Sequence, residues 1–202
     1  MVDIYEVVSV PHPSLKTKSQ PVEAVDDQIR AQMDKMAATM YADKGIGLAA
    51  NQVDILNRVL VVDVNPDTWH YGEEEEDGII RVVSTYKTGQ REEEEKEAPS
   101  HLIKMANPEI IERSAQNSVF PEGCLSVPGH YADVVRSAHI KVKYLDYDGK
   151  EQVLEAEGLL SHCLQHEIDH LDGVLFVDHI SNLKRNMILK KLKKLQKDQI
   201  AL

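Results

Sequence analysis

The chain is short of cysteine, of positive charge and of long apolar runs. Cys124 and Cys163 are the only cysteines in 202 residues, which excludes a disulfide-built scaffold. Two thiols in a chain of this size fit a reducing compartment, where they act as ligands or core residues. Lys and Arg number 23 against 34 Asp and Glu, a formal net charge of -11. That balance argues against DNA as a bulk electrostatic partner, because phosphate contacts need a basic footprint. No stretch approaches the roughly 18 apolar residues that a membrane span needs, so no membrane partner is expected. The first ten residues show no basic segment followed by an apolar run, so no secretory signal is expected either. A cytoplasmic protein is the expectation.

What is present suits one globular domain spanning 1–202. Charge is unevenly placed along it. Acidic runs at Glu73–Asp77 and Glu92–Glu95 sit mid-chain, whereas Lys184, Arg185, Lys190, Lys191, Lys193, Lys194 and Lys197 crowd the C-terminal end. Tyr5–Leu15, broken by Pro11 and Pro13, reads as an N-terminal arm. Asp26 or Asp27 can cap a helix in which Ile29, Met33, Met36 and Met40 recur at helical spacing, stopping before Gly45. Arg58–Val64 is a β-branched run and reads as a buried strand. Residues 66–101 lack periodicity and read as an acidic insertion loop, with a hairpin around Ile79–Tyr86. Leu102–Met105, Glu109–Arg113, Ala132–Val135, Ile140–Leu145 and Glu151–Glu155 read as short strands, the last two joined at Asp148-Gly149. Gly158–Leu171 is helical by its apolar spacing. A basic amphipathic helix is expected at 182–198, with Leu183, Met187, Leu192 and Leu195 on one side.

The sharpest chemical signal is His166-Glu167-Ile168-Asp169-His170. Residues four apart share a helix face, so both imidazoles can reach one metal ion, and Glu167 beside them is placed to act on water. A catalytic site of this kind takes three protein ligands and leaves one position open. Two common completions fail: no Glu follows Glu167, and the position six residues after His170 is Phe176. The remaining candidate is Cys124, between Gly123 and an expected strand. It is either a thiolate ligand or a buried free thiol. Cys163 shares a helix face with His166 and reads as a pocket-lining thiol. His162 reads as pocket lining or a surface tip, and Asp169 either orients a ligand histidine or is solvated.

Gly45-Ile46-Gly47-Leu48-Ala49-Ala50-Asn51-Gln52, Glu122-Gly123-Cys124-Leu125-Ser126 and Gln165-His166-Glu167-Ile168-Asp169-His170, in this order, resemble the three signature motifs of peptide deformylases, bacterial type. The resemblance implies an α+β fold, with antiparallel sheets packed around a central metal-binding HExxH helix and a C-terminal helix. It implies that Cys124, His166 and His170 bind the metal, natively Fe2+ with Zn2+ or Ni2+ substituting. Glu167 is then the general base and acid, and Gln52 and the Leu125 N–H hold the oxyanion. Ile46, Gly47 and Gly123 line the substrate cleft, where Leu159 helps enclose a methionine side chain. The implied substrate is formylmethionine at the start of a nascent polypeptide, with formate as product. The implied partner is the ribosome, met through the basic C-terminal helix. Two departures stand out: residues 66–101 are long for the family, and Tyr131 stands where members often carry arginine. The competing readings are a metalloendopeptidase, which lacks its third ligand, and a non-enzymatic module, in which Glu167 would have no purpose.

Overall fold

The computed structural model of the chain describes residues 3–65, 69–74, 79–84 and 100–200. Its centre is strand β2 (Val59–Asp63), the middle of the expected β-branched run. Alternate residues of a strand face opposite sides. Val59 and Val61 pack into one apolar cluster with Met33, Met36 and Met40, while Leu60 and Val62 pack into another with Leu164 and Ile168. Both faces are covered, so the strand reads as a continuous apolar run rather than an alternating one.

The first cover is helix α1 (Asp27–Ala42). Asp26 caps it, accepting from the Ile29 N–H at 2.9 Å. The Gly45 N–H closes its far end on the Met40 carbonyl. The second cover is helix α2 (Gly158–Leu171), where all but Leu160 and Asp169 of 14 residues are buried. A helix buried on every side is enclosed by other elements. Here they are two sheets.

The central sheet has the order β1-β2-β5-β8-β9, antiparallel throughout. It comprises β1 (Gly47–Ala49), β2, β5 (Leu102–Arg113), β8 (His139–Leu145) and β9 (Glu151–Glu157). The two short strands expected at 102–105 and 109–113 are one strand. Asn107, at φ 51°, and Pro108 make an irregularity inside it, and the Asn107 amide ties the irregularity to both backbone groups of Val22. The β8–β9 turn is the expected Asp-Gly turn, with Gly149 at φ 77°.

The second sheet has the order β3-β4-β6-β7: β3 (Trp69–Glu74), β4 (Ile80–Ser84), β6 (Asn117–Gly123) and β7 (Tyr131–Ser137). Here the reading needs correction. Two stretches of the segment taken as a loop are strands, and the hairpin expected around Ile79–Tyr86 lies earlier: Ile80–Ser84 is one strand, paired antiparallel with Trp69–Glu74. Apart from Ile79, Ser100 and His101, the remainder of 66–101, including Glu92–Glu95 and Tyr86, lies outside the described residues. The β4–β6 pair is parallel, an exception to the expected antiparallel sheets. A parallel pair needs a long crossover, and here β5 in the other sheet lies between the two strands in sequence. Helix α3 (Asn182–Ile200) is where the basic helix was expected. Its buried stripe differs: Leu192 is buried beside Ile188 and Leu189, while Leu183 and Met187 are exposed. Leu195 lies outside the residues whose side chains are described.

Candidate active site

Helix α2 carries His166, Glu167 and His170, and the turn after β6 carries Cys124. The strand therefore precedes Cys124 rather than following it. The Cys124 Sγ lies 3.1 Å from His170 Nε2, and the candidate ligand atoms of Cys124, His166 and His170 all lie within 4.8 Å of one another. The structure thus brings together three groups widely separated in sequence. One thiol and two imidazoles make a borderline-soft donor set suited to zinc or ferrous iron, and three ligands leave a position open.

The histidine rings are oriented by buried groups. His166 Nδ1 lies 2.8 Å from Glu122 Oε2, which leaves Nε2 free for a cation. Asn51 donates to the His170 carbonyl, fixing the last turn of α2 against the turn that carries Gln52. Glu122 in turn receives both Nε and Nη2 of Arg136, and its Oε1 lies 3.3 Å from His162 Nδ1. Burial works to raise the Glu122 pKa, but hydrogen bonds from Arg136, His162 and His166 hold it well below the usual carboxylate range. Asp169 does not orient a ligand histidine. It receives Arg136 Nη1 at 2.7 Å and lies 2.8 Å from His179 Nε2. The orienting carboxylate is Glu122, which sequence reasoning missed although it stands two residues before Cys124. Arg136, left unassigned from sequence, and Asn51 complete the frame.

Glu167 is buried, and its pKa is pushed up to about 7, chiefly by burial. Its Oε2 has no hydrogen-bond partner among the described residues. Gly47 lies so close that a Cβ there would fall 2.5 Å from Glu167 Oε1 and 2.9 Å from Cys163 Sγ. Any side chain at that position would have to push Glu167 and Cys163 aside. The Cys163 thiol is pushed well up by burial and sits 3.5 Å from the Ile46 carbonyl. It is a neutral wall. The Gln52 amide is clamped: its Oε1 accepts from the Ala49 N–H at 2.8 Å, which turns Nε2 toward Cys124 Sγ at 3.5 Å and Ser126 Oγ at 3.3 Å.

These groups border a cavity of about 830 Å³. Ile46, Gly47, Gly123, Leu125, Leu159 and Cys163 all line it, as do Gln52, Cys124, His166 and Glu167. His162 lines it too and is no surface tip: it is 1% exposed, with Nε2 2.9 Å from Ser118 Oγ. Tyr131 stands at the rim, 74% exposed, its ring so near Gly123 that a Cβ there would fall 2.3 Å from Tyr131 Cε1. Arg81 and Val82 of β4 also border the cavity. No local pattern in the sequence points to them, because β4 reaches the site only through its pairing with β6.

Frame and cavity together define a class: an α+β hydrolase whose site is built on a buried His-Glu-x-x-His helix between two sheets. The polypeptide deformylase family pattern matches residues 4–186. A peptide deformylase of Mesorhizobium japonicum is 47% identical over 97% of this chain and 95% of its own. One of Phenylobacterium zucineum is 46% identical over 95% and 96%. The crystal structure of peptide deformylase from Ehrlichia chaffeensis superposes with a TM-score of 0.79 at 36% identity, covering 98% of this chain and 99% of that one. The chain belongs to the polypeptide deformylase family, whose members remove N-formyl groups from nascent peptides.

Proposed function

We propose that the chain is a metal-dependent hydrolase that cleaves the formyl amide of N-terminal formylmethionine on newly made polypeptides and releases formate. The observation that carries this reading is the meeting of Cys124, His166 and His170 around one point beside Glu167. The donor set fits a single divalent ion, Fe2+ natively, with Zn2+ or Ni2+ able to substitute. Such an ion supplies Lewis acidity, lowering the pKa of water from 15.7 toward about 7.

The rest of the chemistry belongs to the protein. Glu167, whose pKa near 7 suits both directions of transfer, takes a proton from the attacking water and delivers it to the departing amine. The Gln52 Nε2–H and the Leu125 N–H hold the charge that builds on the formyl oxygen, each such donor contributing about 3 kcal/mol. Gln52 is suited to this because its carbonyl end is already occupied by Ala49. Ile46, Gly47, Gly123, Leu159 and Cys163 shape the cleft that takes the methionine side chain and excludes bulk water. The chain acts as one catalytic domain, with the acidic segment 66–101 inserted in it. The lysine-rich helix α3 is the proposed contact with the ribosome, and the exposed Leu183 and Met187 support that reading. No helix of the described residues is long and apolar enough to cross a membrane, and the cytoplasm, where nascent chains emerge, is the proposed location.

The test is anaerobic purification with metal analysis, followed by formate release from a formyl-Met peptide. One equivalent of divalent metal and rapid formate release are expected, and Glu167→Ala should keep the metal and lose nearly all turnover. Cleavage of internal peptide bonds without formate release would overturn the reading.

A further inference from the structure

The two histidines of the centre are not held alike. His166 Nδ1 has Glu122, whereas His170 Nδ1 has no hydrogen-bond partner among the described residues, although His170 is fully buried. Its other nitrogen, Nε2, faces Cys124 Sγ at 3.1 Å. A cation held there takes the Nε2 lone pair, so Nδ1 must carry the ring proton. Ligand histidines almost always donate that proton to an acceptor. Glu167 Oε2 is also unpartnered, but Glu167 lines the cavity and His170 does not. The end of α2 instead meets the N-terminal arm and the turn at Ala50–Val53. Asn51 in that turn is fully buried too. Its NH2 donates to two carbonyls, that of His170 and, at 3.4 Å, that of Ser14. Both neighbours only accept, so the nitrogen end must face them and the orientation of the amide is fixed. Asn51 Oδ1 is left without a partner among the described residues. So is the buried hydroxyl of Ser19, whose N–H donates to the next carbonyl of α2, that of Leu171.

We propose that Asn51 is the positioning residue for His170: its Oδ1 receives the Nδ1–H through one buried water, with Ser19 Oγ as that water's third contact. This rests on the metal-binding reading above. Buried polar groups in folded proteins find partners, and buried waters serve such groups through two to four contacts. A donor and an acceptor, each unpartnered, stand here on residues already joined by a hydrogen bond, with a hydroxyl at the next carbonyl along. Glu122 then aims one imidazole from β6, and Asn51 aims the other from the turn that also carries Gln52. Bracing the helix end uses only the NH2 of Asn51; fixing the tautomer of His170 uses its oxygen.

The probe is Zn2+. In zinc-loaded protein carrying isotope-labelled histidine, long-range proton–nitrogen NMR should show His170 protonated at Nδ1, the proton exchanging slowly and giving a cross-peak to water. Asn51→Leu, which removes the oxygen, should weaken zinc binding about tenfold in competition with a chromophoric chelator. Asn51→Asp loses the NH2 but keeps an acceptor, so its zinc affinity should stay within about threefold of the unsubstituted protein. Urea unfolding of the metal-free forms should show both variants less stable, because both lose the ties to His170 and Ser14. Equal losses of zinc affinity in the two variants would mean that Asn51 only braces the helix, and would overturn the inference. Zinc carried on His170 Nδ1, or an Nδ1 proton in fast exchange, would overturn it as well, and neither result depends on a variant that must fold. All three outcomes leave the deformylase reading intact. A protein that binds no zinc would overturn both.

Discussion

Glu122→Gln is the substitution that most directly tests how the site is held. The glutamate has four neighbours to satisfy: Arg136 Nε and His162 at Oε1, Arg136 Nη2 and His166 at Oε2. Glutamine keeps the shape but replaces one oxygen by a donor. If the NH2 takes the Oε1 place, it faces the Arg136 Nε–H, which cannot become an acceptor. If it takes the Oε2 place, it faces the Nη2–H, and His166 must accept at Nδ1. That moves the ring proton to Nε2, the nitrogen a metal needs. Neither orientation is free of conflict, and Arg136 becomes a buried cation with a neutral partner. Removing one member of a buried pair costs about 3–5 kcal/mol. Asp169 still holds Arg136 Nη1 at 2.7 Å, so the lower end, about 3 kcal/mol, is expected. Metal affinity should fall about 10- to 100-fold through the loss of orientation at His166. Urea unfolding of the chelator-stripped protein measures the first quantity, and competition with a chromophoric chelator measures the second. A destabilisation under about 1 kcal/mol, with affinity changed less than about twofold, would refute the reasoning.

Two further outcomes follow from contacts already described. Gly47→Ala should cost about 1–3 kcal/mol of stability by overpacking and should lower kcat steeply, because the new methyl displaces Glu167; full turnover in a formate assay would show that Glu167 is not constrained there. Asp178 is held below the usual carboxylate range because Lys16 and the Leu175 N–H outweigh the effect of burial. A depressed carboxylate adds stability above its unfolded pKa and loses it as pH falls through the folded value. Asp178→Asn should therefore weaken the fold near pH 7 and matter little at about pH 2, and equal losses in urea titrations at both would contradict the ion pair.

Much of the frame could be read from side-chain spacing alone. The methionines of α1 and the β-branched run of β2 carry their structure in their pattern, because burial of one helix face or two strand faces leaves a periodic trace. The three motifs named the groups that the structure gathers in the cavity. What escaped was set by partners distant in the chain. Strand β6 reads Asn-Ser-Val-Phe-Pro-Glu-Gly, poor in strand formers, and exists because β7 pairs along its whole length. Pro121 is tolerated there because β4 pairs only at Ser118 and Val119. Asn107-Pro108 looked like the end of a strand and is a bend within one. Leu183 and Met187 suit an amphipathic stripe by spacing, yet the surface that α3 meets lies under Ile188, Leu189 and Leu192. Glu122 sat in plain view inside a motif, but a carboxylate announces no partner until Arg136 and His166 are beside it.

The end of β6 carries Glu122 and the turn just after it carries Cys124, so one piece of backbone delivers the sulfur and aims an imidazole. Because strand side chains alternate, a slip of one residue against β7 would turn Glu122 away from the helix and move the turn that carries Cys124 with it. The centre therefore has no half-assembled form along that route: the ladder from Asn117 to Gly123 is either in step with Tyr131–Ser137 and ready to capture an ion, or out of step and blind to it. Pairing of two surface-side strands acts as the latch for chemistry performed on a buried helix.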